Sequence, residues 1–247
     1  MNLILLRPDE VAPDGRVLLS DERAAHAREV LGAGVGQRLR VGLLDGPVGA
    51  ALVEAADAGG VALVCCFEAA PPPRPPVDLL LALPRPKVLK RLWAPLAALG
   101  VGRILLTNAE KVERMYFDTH VLDPEFYRPR LIEGLQQARD TRVPEISVHR
   151  RLKVLVEDEL DAASPGALRL VADPAYARRI REAVAPGTGR RLLLAVGPEG
   201  GWTDYERDLL ERHGFAGVGI GPRILRADTA CVALLAVAYE AMREARS

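Results

Sequence analysis

The 247-residue sequence has few cysteines, few aromatic residues (4%) and no long hydrophobic run. Its three cysteines are Cys65, Cys66 and Cys231, which match neither a C-x-x-C metal pair nor an even-numbered disulfide framework. The nearly uncharged stretch 230–238 is far shorter than the ~20 residues that a bilayer crossing needs. No basic residue precedes the short apolar run at the N-terminus and no small-residue cleavage site follows it, so we expect a cytoplasmic protein without a signal peptide.

The composition is that of an ordinary globular protein, with 49% apolar and 27% charged residues. The 33 basic and 33 acidic side chains give a net charge of zero, but they are unevenly placed. Residues 1–70 carry six arginines and ten carboxylates, a net charge of −4, which leaves +4 for residues 71–247. Overall neutrality therefore hides a basic C-terminal part, which is compatible with a nucleic-acid partner.

A run of five prolines and one arginine at 71–76 predicts a stiff, extended linker between two domains. Before it, short β-branched or alternating segments separated by Asp-Gly-Pro and Gly-Gly turns predict a small β-rich domain over 1–70. Its predicted strands are 37–44, 50–55 and 61–67. Ser20 resembles a capping residue and predicts one short helix near 20–31.

After the linker, predicted strands and helices alternate, which favours a parallel sheet covered by helices, that is, an α/β domain over 77–247. The predicted strands are 77–83, 103–106, 145–148, 167–172, 191–196 and 217–220. The predicted helices are 87–99, 123–138, 175–184, 204–213 and 229–243.

The most informative loop follows the apolar strand 192–196 and reads Gly197-Pro198-Glu199-Gly200-Gly201. Thr203 and Glu206 then match the capping box that opens a helix. Ligands of open α/β sheets bind at the carboxyl ends of strands, where glycine lets them approach the backbone. The alternative is a tight turn in which Glu199 complements the helix dipole.

A second loop of this kind, 219–230, joins the next strand to the last helix. Asp228 or Thr229 is its expected helix cap, and Arg223 and Arg226 are either ligand contacts or solvated side chains. Two neighbouring strand-end loops would form one pocket. Because neither G-x-x-x-x-G-K-[ST] nor G-x-G-x-x-G is present, the sequence argues against kinases, other nucleotide triphosphatases and Rossmann dehydrogenases.

Together, the segments 197–203 and 220–230 closely resemble the two signature segments of the SPOUT-class 16S ribosomal RNA uracil-N3 methyltransferases, the RsmE family. Weaker similarity covers most of the remaining chain. The sequence departs from the family pattern at Pro95 and Ala98, where the family usually has lysine and glutamate, and at Asp228, where it usually has glutamate. Gly32 and Asp140 replace two expected arginines.

The resemblance implies an N-terminal PUA-like, RNA-binding β-barrel and a C-terminal SPOUT-type α/β domain with a trefoil knot, which only the family likeness predicts. It also implies a homodimer that binds S-adenosylmethionine, with 16S rRNA or the small ribosomal subunit as partner and with no metal. The residues expected to bind the cofactor are Gly197, Pro198, Glu199, Gly200, Gly201, Ile220, Gly221, Leu225, Arg226, Ala227 and Thr229.

Methylation at uracil N3 requires the imide proton to leave and the resulting anion to be stabilised. Arg226, and after it Arg223, are the expected catalytic stabilisers of that anion, and Glu199 and Asp228 are the candidate proton acceptors. The expected RNA contacts are Arg85, Lys87, Lys90, Arg91, Arg150 and Arg151, with Arg128, Arg130 and Lys153 as further candidates. Two alternatives stay open: a SPOUT enzyme acting on another RNA atom, such as a ribose 2′-hydroxyl, and a non-enzymatic RNA-binding assembly protein.

Overall fold

The computed structural model describes residues 3–185, 187 and 189–243. The chain divides into two compact units, one formed by residues up to 74 with 132–143, and the other by 75–131 with the residues from 144 onward. Segment 132–143 follows the predicted linker in the sequence, but it is part of the first unit and forms hydrogen bonds with Asp45. The Asp45 N–H donates to the Thr141 carbonyl at 2.8 Å, and the Val143 N–H donates to Asp45 Oδ1 at 3.1 Å.

The first unit contains a five-stranded sheet with the strand order β1-β3-β4-β5-β2. Strand β1 runs parallel to β3, whereas β3–β4, β4–β5 and β5–β2 are antiparallel pairs. The strands are β1 (Ile4–Leu6), β2 (Arg16–Leu19), β3 (Arg38–Leu43), β4 (Val48–Asp57) and β5 (Gly60–Phe67). The predicted short helix is α1 (Glu22–Glu29), but its cap is Asp21, which accepts from the Arg23 N–H, and not Ser20.

The second unit contains six strands, all parallel, in the order β11-β9-β10-β6-β7-β8. They are β6 (Val77–Ala82), β7 (Val101–Thr107), β8 (Glu145–His149), β9 (Leu168–Ala172), β10 (Leu192–Val196) and β11 (Phe215–Val218). Every residue of the two central strands, β6 and β10, is buried. This is the pattern of a parallel sheet covered on both faces, so the α/β prediction is confirmed.

The helices of the second unit, with α3 continuing into segment 132–143, are α2 (Pro86–Ala98), α3 (Pro124–Ala138), α4 (Leu152–Val154), α5 (Leu160–Ala163), α6 (Ile180–Ala183), α7 (Asp204–Arg212) and α8 (Ala227–Met242). A π-helical stretch, Leu155–Glu159, joins α4 to α5, and short 3-10 turns cover Pro8–Glu10, Arg114–Asp118 and His120–Leu122. The sequence predicted no helix between 152 and 163.

Two predicted elements near the strand ends are wrong in extent. The helix predicted over 175–184 is limited to Ile180–Ala183, because Asp173 accepts from the Ala175 N–H and the Arg178 carbonyl accepts from the Gly219 N–H. These bonds engage the preceding backbone in a turn. The strand predicted over 217–220 is instead Phe215–Val218, which frees the residues after it for the loop.

Asp78 on β6 is a fully buried carboxylate held by two arginines. Arg103 donates from Nε and Nη2 to Asp78 Oδ2, and Arg191 donates to both carboxylate oxygens. These bonds connect β6, β7 and the residue before β10, so they fix the central strands that carry the loops described next.

Candidate functional site

The first glycine-rich loop leaves the carboxyl end of β10 and turns tightly into α7. The Gly201 N–H donates to the Pro198 carbonyl at 2.8 Å, and Gly201 has a φ of +70°, which favours glycine. Thr203 caps α7 through the predicted capping box with Glu206, which is confirmed. The local sequence therefore fixes both ends of the loop.

Buried Glu206 also ties this loop to the segment after β7. One carboxylate oxygen accepts from the Thr203 N–H at 2.8 Å, and the other accepts from the Glu110 N–H at 2.7 Å. Beside it, Lys111 Nζ donates to the Gly200 carbonyl at 2.7 Å. A Cβ at residue 200 would meet the Lys111 side chain, so this glycine faces Lys111.

The second loop connects β11 to α8 across the same edge of the sheet. A Cβ at residue 219 would overlap the Tyr176 carbonyl oxygen, and Gly221 has a φ of +132°, so both positions require glycine. Helix α8 begins at Ala227 with Arg226 as its cap residue. The predicted cap at Asp228 or Thr229 is wrong, because Asp228 Oδ1 accepts from the adjacent Thr229 N–H and Oδ2 accepts from Arg91.

The two loops line one cleft of about 660 Å³, open to solvent. The expected cofactor residues that line it are Gly197, Pro198, Glu199, Gly201, Ile220, Gly221, Leu225 and Ala227. Gly200, Arg226 and Thr229 do not line it, whereas Arg223 does. The sequence reasoning missed Trp202 and the loop after β9, where Asp173 and Pro174 complete the lining. Their position directly after the predicted strand 167–172 is the signal that would have found them.

The charged groups at this edge differ in their environments. Glu199 lies in the cleft lining and accepts from the Arg85 backbone N–H at 3.1 Å. Arg226 is exposed at the start of α8. Asp228 is partly buried, which alone would raise its pKa, but the hydrogen bond from Arg91 and the nearby Arg226 outweigh burial and hold the pKa below its usual value.

Two of the expected RNA contacts, Arg91 and Arg150, form ion pairs, and the other four are exposed. Arg91 Nη2 lies 2.6 Å from Asp228 Oδ2, and Arg150 pairs with Asp118 at 3.2 Å. Arg85, Lys87, Lys90 and Arg151 are exposed, the first three at or near the start of α2. The loop before α2 and the loop after β8 both follow carboxyl ends of parallel strands, so these cations lie at the same edge as the cleft.

Among residues 3–185, 187 and 189–243, no cluster of three or more metal-binding side chains is present. Within the same part of the chain, no helix combines the length and apolar character that a membrane span requires.

The chain is similar to known RNA methyltransferases. A family model described as an RNA methyltransferase domain matches residues 71–239, well over half of the chain. The sequence is 30% identical over 247 residues to the ribosomal RNA small subunit methyltransferase E of Treponema pallidum, covering 96% of this chain and 90% of the relative. The Mycobacterium tuberculosis protein of the same name is 30% identical over 239 residues, with coverage of 95% and 90%. The chain belongs to the ribosomal RNA small subunit methyltransferase E family, and the resemblance drawn from its two loop segments is confirmed.

Solved structures show the same fold. The ribosomal RNA small subunit methyltransferase E of Neisseria gonorrhoeae, bound to S-adenosyl methionine, aligns with a TM-score of 0.76 at 18% identity and covers 98% of both chains. A putative methyltransferase from Legionella pneumophila, in complex with the same cofactor, aligns with a TM-score of 0.72 at 24% identity and covers 99% of both chains.

Proposed function

We propose that this protein transfers the methyl group of S-adenosylmethionine to N3 of one uridine in 16S ribosomal RNA, on the small ribosomal subunit in the cytoplasm. The observation that carries the proposal is the single cleft formed by loops 197–201 and 219–225. Both loops carry the family's signature residues, and both lie at the carboxyl edge of the parallel sheet.

The cleft fits a cofactor that is held mainly by backbone groups. Gly197, Gly219 and Gly221 line it, so main-chain atoms stand close to any ligand there. Trp202 also lines it, and the buried indole N–H of Trp202 has no hydrogen-bond partner in the described part of the chain. Bound S-adenosylmethionine supplies an electrophilic methyl group on a sulfonium. Main-chain groups of the two loops would hold it.

Arginines at the cleft are suited to the charge that develops on the uracil. When N3 loses its proton, the negative charge spreads onto two carbonyl oxygens, which a guanidinium can bind as a permanently charged fork. We assign this role to Arg226, exposed beside the cleft at the cap of α8, and secondarily to Arg223 in the cleft lining. Orientation of donor and acceptor supplies much of the remaining acceleration.

Of the two candidate proton acceptors, Glu199 is better placed than Asp228. Glu199 lines the cleft, whereas Asp228 does not. The Arg91 hydrogen bond also lowers the pKa of Asp228, which makes that carboxylate a weaker base. We therefore assign Asp228 to positioning the start of α8 and Glu199 to accepting the proton.

The larger assembly is also part of the proposal. Residues 1–70 would form a PUA-like RNA-binding barrel, 71–76 the linker, and 77–247 a SPOUT domain with a trefoil knot. Exposed apolar side chains at Ile220, Ile224 and Val237, on the second loop and α8, support a homodimer formed through this face. Arg85, Lys87, Lys90 and Arg151 would contact RNA phosphates near the target, because they are exposed at the edge that holds the cleft.

The test is primer extension across 16S rRNA from unmethylated small subunits incubated with the protein, with and without S-adenosylmethionine. A methyl group at N3 blocks the Watson-Crick edge, so we expect one new cofactor-dependent stop at a uridine. Arg226→Ala should lower the rate of methylation much more than it lowers cofactor affinity measured by calorimetry, and Arg212→Ala on α7 is the control for loss of an exposed arginine.

A missing stop with bound subunits would favour a different methyl acceptor or a non-enzymatic assembly role. Equal losses of rate and cofactor affinity in Arg226→Ala would reject anion stabilisation by Arg226.

A further inference from the structure

Arg38 and Arg40, two arginines of the first unit, have no hydrogen-bond or ion-pair partner among the described residues. Arg38 and Arg40 lie two residues apart on β3, so both side chains project from the solvent face of the sheet. Neither forms a hydrogen bond or an ion pair in the part of the chain that the structure describes. Every other arginine of this unit is engaged: Arg7, Arg16, Arg23, Arg28, Arg74, Arg139 and Arg142.

The side chains next to these arginines on strands β4 and β5 are uncharged, and most of them are short. Arg40 pairs across the sheet with Ala50, and Ala50 pairs with Cys66, so these three side chains form one row on the same face. The next row is formed by Arg38, Leu52 and Val64. The face is accessible, since Ala50 and Cys66 are exposed and Leu52 is 44% exposed.

A shallow groove, which measures about 1140 Å³ with the open solvent above it, lies on this face. We call it the arginine groove and define it by Arg38, Arg40, Ala50, Cys66 and Arg139, all of which line it. Among the described residues that line it, Glu68 is the only carboxylate, although residues 1–70 carry a net charge of −4. Positive charge is thus concentrated here on an otherwise acidic unit.

We propose that the arginine groove binds the phosphodiester backbone of the RNA substrate. This inference rests on the proposed function for the identity of the RNA. Guanidinium forks match phosphate oxygens, and neighbouring arginines along a strand can follow successive phosphates of an extended segment. Ala50 and Cys66, the small side chains in the row of Arg40, leave its guanidinium accessible to a phosphate, and the two unpaired cations favour an anionic backbone over an apolar protein anchor.

The first test measures binding of the full-length protein to purified small ribosomal subunits as a function of salt. Each lost phosphate contact should reduce the slope of log K against log[salt] by about 0.7, so Arg38→Gln with Arg40→Gln should reduce it by about 1.4. If the variant and the wild type bind equally at 1 M salt, where the contacts are screened, the variant should bind about 25-fold more weakly than the wild type at 0.1 M salt. Lysine at both positions should retain most of the slope because it retains the charge.

The matched control is Arg178→Gln with Arg212→Gln, which removes two exposed arginines of the second unit. Arg178 donates to the Glu182 carbonyl of α6, and Arg212 donates to the Asp208 carbonyl of α7. The control should keep the wild-type slope, and all variants should bind S-adenosylmethionine with unchanged affinity in calorimetry. A wild-type slope in the groove variant would overturn the proposal. Equal losses in groove variant and control would overturn it as well, because the effect would then be general charge.

Cys66 provides a second, independent readout. It is the exposed cysteine, whereas burial raises the pKa of Cys65 to about 11 and that of Cys231 to about 12. Iodoacetamide at neutral pH should therefore modify Cys66 first, and bound subunits should slow that modification several-fold. An unchanged rate with subunits bound would reject the groove as the contact.

These results separate the two proposals. Methylation and subunit binding with no protection of Cys66 would reject the groove alone. A protein that binds S-adenosylmethionine but no ribosomal RNA would reject both the groove and the proposed substrate. Protection by an acidic polypeptide such as polyglutamate, but not by subunits, would assign the groove to a protein partner and overturn the proposal.

Discussion

The ion pair between Arg91 and Asp228 allows a sharp test of how the start of α8 is held. The guanidinium of Arg91 lies 2.6 Å from Asp228, and the two side chains are 48% and 22% exposed. A charge-assisted hydrogen bond contributes about 1.5–3 kcal/mol when it is desolvated, and exposed pairs contribute about 0.2–1 kcal/mol. Because Arg91 is half exposed, we expect a coupling of about 1 kcal/mol.

The assay is a double-mutant cycle of Arg91→Ala, Asp228→Ala and the double variant, measured by chemical denaturation at pH 7. Loss of about 1 kcal/mol in a protein of this length lowers Tm by about 2–4 °C. Once Asp228 has been removed, Arg91→Ala should have little further effect. Lys87→Ala is the matched control, because Lys87 is an exposed cation on the same helix and its effect should not depend on Asp228.

The coupling should also depend on pH in a defined direction. The folded pKa of Asp228 lies below its usual value of 3.8, so the contribution is fully present above that value and is lost as the pH falls below about 4 toward the folded pKa. Additivity of the two substitutions within about 0.3 kcal/mol at pH 7 would refute the reasoning. So would a loss of RNA affinity in Arg91→Ala that persists when Asp228 is absent, since Arg91 would then be an RNA contact.

Three further predictions follow from buried or crowded positions. Gly219→Ala should lower both Tm and S-adenosylmethionine affinity, because its Cβ would overlap the Tyr176 carbonyl. Gly200→Ala is the control and should change both quantities little, because its Cβ meets only the flexible Lys111 side chain. An equally small effect of Gly219→Ala would contradict this packing. Glu206→Ala should reduce the free energy of unfolding by about 2 kcal/mol in denaturant titrations, because it removes the capping box and leaves the Glu110 N–H unpaired, and a loss below about 0.5 kcal/mol would disprove that role. Asp78→Asn should reduce the free energy of unfolding by about 3 kcal/mol in the same titrations, because it leaves Arg103 and Arg191 beside an uncharged group. An unchanged free energy of unfolding would show that these ion pairs do not stabilise the sheet.

The sequence predicted those parts of the fold that local patterns determine. Strands β6 and β10 are continuous apolar runs, and Thr203 with Glu206 is a capping box, so the sheet and the start of α7 were predictable. The short extent of the helix predicted over 175–184 was not predictable. Its first backbone groups bond to Asp173 and to the distant Gly219, and a local sequence pattern does not show such contacts. The same holds for segment 132–143, whose assignment depends on hydrogen bonds to Asp45.

The candidate site was predictable where glycine and chain order determine it. Both glycine loops follow strands of one parallel sheet, so their meeting in one cleft follows from topology. The orientation of individual side chains did not follow. Gly200 turns toward Lys111, and Arg226 stands at the helix cap outside the lining, although both belong to the signature segments. Asp173 and Trp202 also line the cleft, and both had a signal in the sequence: Asp173 directly follows a predicted strand, and Trp202 lies in the first signature segment.

The departures from the family pattern at Pro95 and Asp228 become intelligible together in α2. Residues 91 and 95 are one turn apart on the same face of this helix, and proline stands at 95 where the family resemblance leads us to expect a lysine. Proline at 95 also has no N–H to bond the carbonyl of residue 91. The cation of this chain is Arg91, and its long side chain reaches an aspartate that is one methylene shorter than the family's glutamate. Pro95→Lys should restore part of the stability and activity lost in Arg91→Ala, and should restore more than Pro95→Ala, which returns only the helical N–H. Equal recovery with lysine and alanine would show that a cation at position 95 does not reach Asp228.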